Sequence, residues 1–515
     1  MNFKHNSETV KSEKNLFNNT DVFPISLDYI LPDYYPDITT ILKTHSIPKI
    51  TSWHIKDGVI HYEICVNIVV IYKSSDSNIL QSVSQIKTFS KDITLDEKTD
   101  NPICRFRIHN DSVYCKAKNE RRFEVQADIS VHTNCTLASD FQLLCDCFGG
   151  GIQLKKQKIS TITNQTQFTK EFSVSENCTV SDENLSAVSV LFSESESKIT
   201  EIKNISGKLA VKGIIKAFVV YTFSESEDNN ISSLQTEIPF SQIIDIKGFT
   251  ENDCCDINSD ISAFTCKAVN DSKGNLKSFD WQFDLRIDCV MSSFAEISCI
   301  SDAYSTKHSI QLGYSHVFSI MPTKEIKNSF QHKASITSSD INKIYFAYAD
   351  IKNIHKQIMP DKKQIILSGL IVFKIIAKTT DNSIVHLEKE SSFEMNIPYE
   401  NLTKHTLCEP DVRIKYIEYN IISSNNISLL ADIETDCKIS ERALVNAVND
   451  ISSDDENEDN KPFSSALRIY FGKMGESVWD IAKKYRTNVS VIAKENNLEN
   501  DYLSEDLLLL IPMIH

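Results

Sequence analysis

The chain has 515 residues, more than one hydrophobic core accommodates and enough for three to four domains. Its 12 glycines and 12 prolines exclude collagen-like and broadly disordered chains, and its β-branched and aromatic residues favour strands. Seventy acidic against 54 basic residues give a net charge of −16 with no long Lys/Arg cluster, so nucleic acid and anionic membrane are poor partners.

The N-terminus, Met1 to Glu8, lacks the basic start and apolar run of a secretory signal. No stretch approaches the roughly 20 apolar residues of a transmembrane segment. Residues 1–22 are read as an N-terminal tail, and the protein as one kept in the cytosol where it is made. A reducing cytosol would hold the 14 cysteines as structural or incidental thiols. Cys145-Asp-Cys147 and Cys254-Cys255 are the only clusters, and neither has zinc-site spacing, so no metal and no cofactor is expected.

An internal repeat then organises the chain. Asp37-Ile-Thr-Thr-Ile41, Asn184-Leu-Ser-Ala-Val188 and Asp340-Ile-Asn-Lys-Ile344 each place an N-cap residue before two aliphatics three apart, which predicts one short helix per copy. Each copy next enters an alternating run with the same phase. The first follows Gly58 (Ile60, Tyr62, Ile64 to Tyr72), the second Gly207 (Leu209, Val211, Gly213 to Tyr221), the third Lys363 (Ile365, Leu367, Gly369 to Ala377). Such alternation predicts strands with one buried face, bent or bulged partway. Gly213 and Gly369 are read as bulge or close-packing positions rather than ligand approach points. Polar turns lead to further extended stretches reaching Phe89, Phe240 and Phe393, and a second hairpin closes each unit. The units are placed at 23–140, 141–302 and 303–445, with Gly149-Gly150-Gly151 as a flexible connector.

Leu31-Pro-Asp-Tyr-Tyr-Pro-Asp-Ile38, followed by Ile41-Leu-Lys43 and the run ending at Tyr72, resembles the SPOCS domain associated with spore coat proteins of clostridia and their relatives. The first copy carries the resemblance best; the other two keep the pattern of faces without that opening. The fold expected is mainly β, three antiparallel sandwich-like units.

Residues 446–465 form an acidic linker, with six carboxylates between Asp450 and Asp459. Residues 466–515 order as strand, helix, helix, strand, a small α+β unit. Ser477 and Asp480 are spaced like a capping box, Asn488 can cap the second helix, and Val478, Ile481, Ala482 and Tyr485 share one apolar helix face. Gly475, Ser477, Val478-Trp479, Ile481-Ala482, Tyr485, Val489, Asn496-Asn497-Leu498 and Ile511-Pro512 resemble a LysM domain. Val478, Trp479, Ile481, Ala482 and Tyr485 are read as its core. LysM domains bind N-acetylglucosamine glycans, and by resemblance the binding loops are Gly475, Glu476, Ser477 and Asn497, Leu498, Glu499. Glu476 replaces the usual Asp, and the loop Glu499 to Asp506 is acidic, which favours a basic protein surface over a neutral sugar.

The combination resembles clostridial coat-morphogenesis factors that interact with a coat basement-layer ATPase, stage IV sporulation protein A. It implies a non-enzymatic scaffold in the mother-cell cytoplasm at the forespore surface, docking through its LysM-like domain, with self-association or other coat proteins as further partners. Peptidoglycan binding and a phage tail role are the alternatives. The 13 histidines are dispersed, with no HExxH and no GxSxG, so no catalytic residues are assigned.

Overall fold

The structure, a computed structural model, describes residues 3–75, 80–99, 101–180, 185–205, 207–225, 228–338, 340–423, 425–453 and 467–512. Nearly all of it is antiparallel strand. The first repeat runs β1 (Lys4–Ile30), β2 (Ile38–Lys56), β3 (Val59–Ser74), β4 (Leu80–Thr94), β5 (Ile103–Asn119) and β6 (Arg122–Phe148). The second runs β7 (Ile152–Thr179), β8 (Ser186–Ile205), β9 (Lys208–Glu225), β10 (Asp228–Asp245), β11 (Cys254–Asn270) and β12 (Leu276–Ser305). In the third the opening strand is split into β13 (Ile310–Ile320) and β14 (Lys324–Thr337), followed by β15 (Ile341–Met359), β16 (Gln364–Thr379), β17 (Ile384–Pro398), β18 (Thr406–Ser423) and β19 (Asn426–Ser453). Strand β20 (Leu467–Gly472), helices α1 (Val478–Tyr485) and α2 (Val489–Glu495), and β21 (Leu507–Pro512) complete the chain.

Each repeat is a sandwich of two layers. One layer is the meander β2-β3-β4, β8-β9-β10 or β15-β16-β17; in the other, the opening strand pairs with the last strand of the closing hairpin. The central meander strand explains why. Its alternating residues, Ile60 to Tyr72 in the first copy, bury completely against Phe123, Val125, Ile129 and Val131 of β6. The second and third cores repeat this with Leu209 to Tyr221 against Phe279 to Met291, and Ile371 to Ala377 against Ile427 to Ile433. Gly58 and Gly207 have positive φ (76° and 81°) in two-residue turns before β3 and β9, whereas before β16 the turn is a longer one, a 3₁₀ turn Pro360–Lys362 closed by Lys363 at φ 52°. A Cβ on Gly213 would lie 2.6 Å from the Lys198 carbonyl oxygen and run into the Phe240 ring. Gly369 meets Phe393 in the same way, at 2.8 Å. Both glycines are close-packing positions beneath a cross-strand aromatic.

Among the described residues the three expected helices are absent: Ile38–Ile41 and Ile341–Ile344 open β2 and β15, and Ser186–Val188 open β8, Asn184 of the second copy lying outside the described residues. Register explains the misleading three-residue spacing. Ile38 pairs with Ser74 and Ile41 with Tyr72, because a bulge between Ile38 and Thr40 inserts one extra residue. Two aliphatics three apart thus stay on one strand face, imitating a helical period. The same bulge falls between Ile341 and Lys343. Of the expected N-terminal tail 1–22, residues 4–22 are instead part of one continuous strand, Lys4–Ile30, paired along β6, and residues 1–2 fall outside the described residues. Gly149-Gly150-Gly151 is a tight turn, with the Ile152 amide donating to the Gly149 carbonyl (3.4 Å) and Gly151 at φ 77°. Of the expected linker, residues 446–453 lie in β19, and 454–465 fall outside the described residues.

The outer faces of the three meanders meet. Val69, Ile71 and Leu80 of the first repeat pack with Leu191, Phe192, Val220 and Ile231 of the second and Tyr345, Phe346 and Ile376 of the third. Ile71, Val220 and Ile376 occupy one register position, each paired to the residue after a bulge: Lys43, Phe192 and Phe346. A second three-way contact joins Leu144 and Cys147 to Ile300 and Ala303 and to Val448 and Ile451. Each repeat therefore buries one face internally and part of the other against its two neighbours.

Candidate functional site

The C-terminal module is a two-stranded sheet, β20-β21, with both helices on one side. Val478, Ile481 and Ala482 of α1 and Ile492 of α2 pack on Leu503, Leu509 and Ile511. Asn488 caps α2 by accepting the Ser490 amide (3.0 Å). Ser477 precedes α1 without a side-chain cap, so the capping box does not form. Instead the Ile481 amide donates to the Ser477 carbonyl, and Ser477 forms a bridge to Tyr502.

The loop Gly475–Ser477 is zipped to 501–503: Gly475 donates to the Leu503 carbonyl (2.8 Å), Leu503 to Glu476 (2.9 Å) and Val478 to Asp501 (2.9 Å). The Glu476 carboxylate is occupied internally, accepting from the Tyr470 hydroxyl (3.1 Å) and the Lys473 amide (3.0 Å). Met474 N–H donates to Asp506 (2.7 Å). Asn497 is exposed at φ 53° and Glu499 is exposed, whereas Leu498 packs on the module's core. Of the six expected binding residues, Gly475, Asn497 and Glu499 face solvent; Ser477 is buried, Glu476 is half-buried and Leu498 serves packing.

Trp479 does more than pack its own module. Its ring meets Tyr304 of β12 edge-on (centroids 5.0 Å apart), and its Nε1–H donates to Asp302 Oδ2 (2.8 Å). Lys483 Nζ donates to both Asp302 oxygens (2.6 and 2.8 Å), and the Tyr304 hydroxyl to the Thr487 carbonyl (2.7 Å). Burial alone would raise the Asp302 carboxyl, but the Lys483 and Trp479 hydrogen bonds outweigh it and hold it below the usual range. The module is thus seated on the second repeat. Sequence reading missed Asp302 and Tyr304, which lie more than 170 residues from their partners.

With α1 turned inward, the outer face of the small sheet is left open. Phe471 (68% exposed) and Leu508 (57%) are cross-strand partners, Ile469 (66%) continues the same face of β20, and Met474 (72%) follows in the adjoining turn. This apolar face had a signal in the sequence, the run Ile469-Tyr-Phe471, in which both alternating faces are hydrophobic.

The family model described as SipL, SPOCS domain matches residues 187–269, and that of the LysM domain matches 473–512. The chain carries a SPOCS domain and a C-terminal LysM domain. No curated protein and no solved structure matches. The SPOCS match falls on the second repeat, from β8 to β11, and not on the first, where the Leu31 to Pro36 opening made the resemblance seem best. That opening is held by Arg121, whose guanidinium donates to the carbonyls of Leu31, Pro32 and Tyr35 and pairs with Asp37. Both matched families are binding-type rather than catalytic. Among the described residues no cluster of His, Cys, Asp or Glu suits a metal, and no helix is long and apolar enough to cross a membrane.

Proposed function

We propose that the chain is a non-enzymatic adaptor of endospore coat assembly, whose LysM domain docks a protein partner, the basement-layer ATPase of the stage IV sporulation protein A type, at the forespore surface. The observation that carries this reading is the open face of Ile469, Phe471 and Leu508 beside the acidic loop Glu499–Asp506. An apolar patch with a charged margin fits a polypeptide surface with complementary basic residues. A glycan gains less there, because the Glu476 carboxylate is already engaged within the module. The triplicated β body supplies a broad platform, and its SPOCS match supports a role in sporulation. The test is Phe471→Asp in the full chain, fused to a fluorescent protein, imaged through sporulation and co-purified. Loss of a fluorescent shell around the forespore, with at least tenfold weaker partner association, is expected, about 1.4 kcal/mol or more. Undiminished recruitment, or saturable binding of the unaltered chain to wall glycan, overturns the reading.

A further inference from the structure

The closing hairpins of the three repeats carry a feature that neither matched family assigns. Besides an irregularity next to the hairpin turn, each carries a bulge in mid-strand: between Asn110 and Ser112 opposite Ile129, between Ile261 and Ala263 opposite Leu285, and between Ile414 and Tyr416 opposite Ile433. Counting back six residues from Asn110, Ile261 and Ile414 reaches a cysteine every time, Cys104, Cys255 and Cys408. A second cysteine waits on the facing strand. In the first repeat Cys135 is directly opposite and disulfide-bonded to Cys104. In the second and third, Cys289 and Cys437 sit four residues past the bulge partner, diagonal to the first-strand cysteine and in register with each other. Cys255 Sγ and Cys289 Sγ are 3.3 Å apart, and Cys408 and Cys437, both fully buried, hold the same diagonal positions in the third hairpin. The expectation that all 14 cysteines are structural or incidental thiols therefore fails for Cys104 and Cys135, while the other four of these six are free thiols brought together in pairs.

We propose that the three hairpins share one oxidisable station, in which a hydroperoxide converts the Cys255–Cys289 and Cys408–Cys437 dithiols into the cross-strand disulfide already formed by Cys104–Cys135. The first-strand cysteine attacks. Its sulfur takes one peroxide oxygen, the O–O bond breaks, and a sulfenic acid and one water result. The facing thiol then attacks that sulfur, the S–O bond breaks, and a second water leaves. Two thiols and one hydrogen peroxide thus yield one disulfide and two waters, with two electrons passing from sulfur to oxygen.

The environments favour this division of labour. The hydrogen bond from Cys437, helped by the nearby Lys356 ammonium, holds the Cys408 thiol below its ordinary range, whereas donating that bond pushes Cys437 up. Cys289 is raised likewise by its bond to Cys255. Cys255 is half-buried while Cys289 is fully enclosed, so the first-strand cysteine is also the more accessible of that pair. Burial pushes the Cys115 and Cys266 thiols up to about 11 and about 12, which leaves both poorly nucleophilic.

The test uses the full chain exposed to hydrogen peroxide, alkylated after unfolding and mapped by mass spectrometry without reduction. Of the twelve free cysteines, four should be consumed, leaving eight alkylated, with linked peptides 255–289 and 408–437. In the Cys437→Ser variant a 1,3-dione should trap Cys408 as its sulfenic acid, and the 408 linkage should vanish while 255–289 persists. Survival of both dithiols after exposed thiols have reacted, exchange of partners between repeats, or oxidation of Cys408 to sulfinic acid in the unaltered chain overturns the proposal.

Discussion

The inside of each repeat and the junction between repeats are built from the two faces of the same strands, yet their chemistry differs. Inside, β3, β9 and β16 present aliphatic and aromatic residues at every alternate position. At the junction, one register position holds His45, Glu194 and Tyr348, and the facing one holds Val69, Phe218 and Lys374. Lys43 and His45 are more than nine-tenths buried there. An interior is satisfied by any apolar set of the right volume, so three copies can keep one pattern. A point where three strands converge cannot hold three copies of one large or charged residue without overlap or repulsion. The copies must diverge, and here they diverge into a mixed charged cluster: Lys374 pairs with Asp350, His45 Nδ1 lies 4.0 Å from Glu194, and Lys43 Nζ sits 4.4 Å over the Tyr348 ring.

The largest effect should come from the interior. Trp281 is 1% exposed and stacks on Phe283 with centroids 5.5 Å apart and planes 8° from parallel. Trp281→Ala removes that ring from the second core and should cost about 3–5 kcal/mol. Urea unfolding reads the loss, and hydrogen exchange should place it in β8 to β12. A loss shared equally by all three repeats would show that the junction, not the interior, sets cooperativity.

The junction should respond with the opposite sign. Burial, with Lys374 nearby, pushes Lys43 down to about 6, and its Nζ has no hydrogen-bonding partner among the described residues. Lys43→Met keeps the packing volume and removes that desolvation, so it should stabilise by about 1–4 kcal/mol near neutral pH. The pH profile sharpens the point. From about pH 6 to the ordinary 10.5, the unfolded chain binds a proton at Lys43 that the folded chain does not, so stability rises with pH. The slope from this group is about 1 kcal/mol per pH unit. His45, held well below 6.5 by burial with Lys43, Lys374 and His386 around it, adds the same sign below pH 6.5. Subtracting the Lys43→Met profile from that of the unaltered chain between pH 6 and 9 isolates the Lys43 contribution. A flat difference would mean that Lys43 stays charged.

The same contrast explains what could be read from the amino acids alone. The alternating runs, the hairpins and the phase of all three copies were legible because burial of one face repeats every second residue. The junction was half legible: Ile68-Val-Val-Ile-Tyr72 and Ala217-Phe-Val-Val-Tyr221 are apolar on both faces, a pattern that requires two-sided burial. The bulged segments were read wrongly because one inserted residue turns a period of two into a spacing of three. Within the LysM domain the helices and core positions followed from period. The seat on β12 did not, since no local pattern ties Asp302 and Tyr304 to Trp479.

That seat supplies the smallest expected effect and the most direct bearing on function. Asp302 is the hub, accepting from Trp479 and twice from Lys483. Asp302→Asn preserves shape but removes the charge that draws Lys483, and about 1–3 kcal/mol of seating should be lost. Among the described residues the β body uses that carboxylate only through the Ala303 amide (2.9 Å) and a long contact from Tyr314 (3.4 Å), so its own unfolding should move little. Hydrogen exchange in α1 should quicken and Trp479 fluorescence should shift to the red, as the indole meets water. Because Phe471 and Leu508 lie on the opposite side of the module, partner docking through the open sheet face should survive this change while its geometry relative to the platform loosens. Unaltered exchange in α1 would show that Tyr304 alone holds the module, through its ring contact and its bond to Thr487, and Tyr304→Phe would then produce the loosening instead.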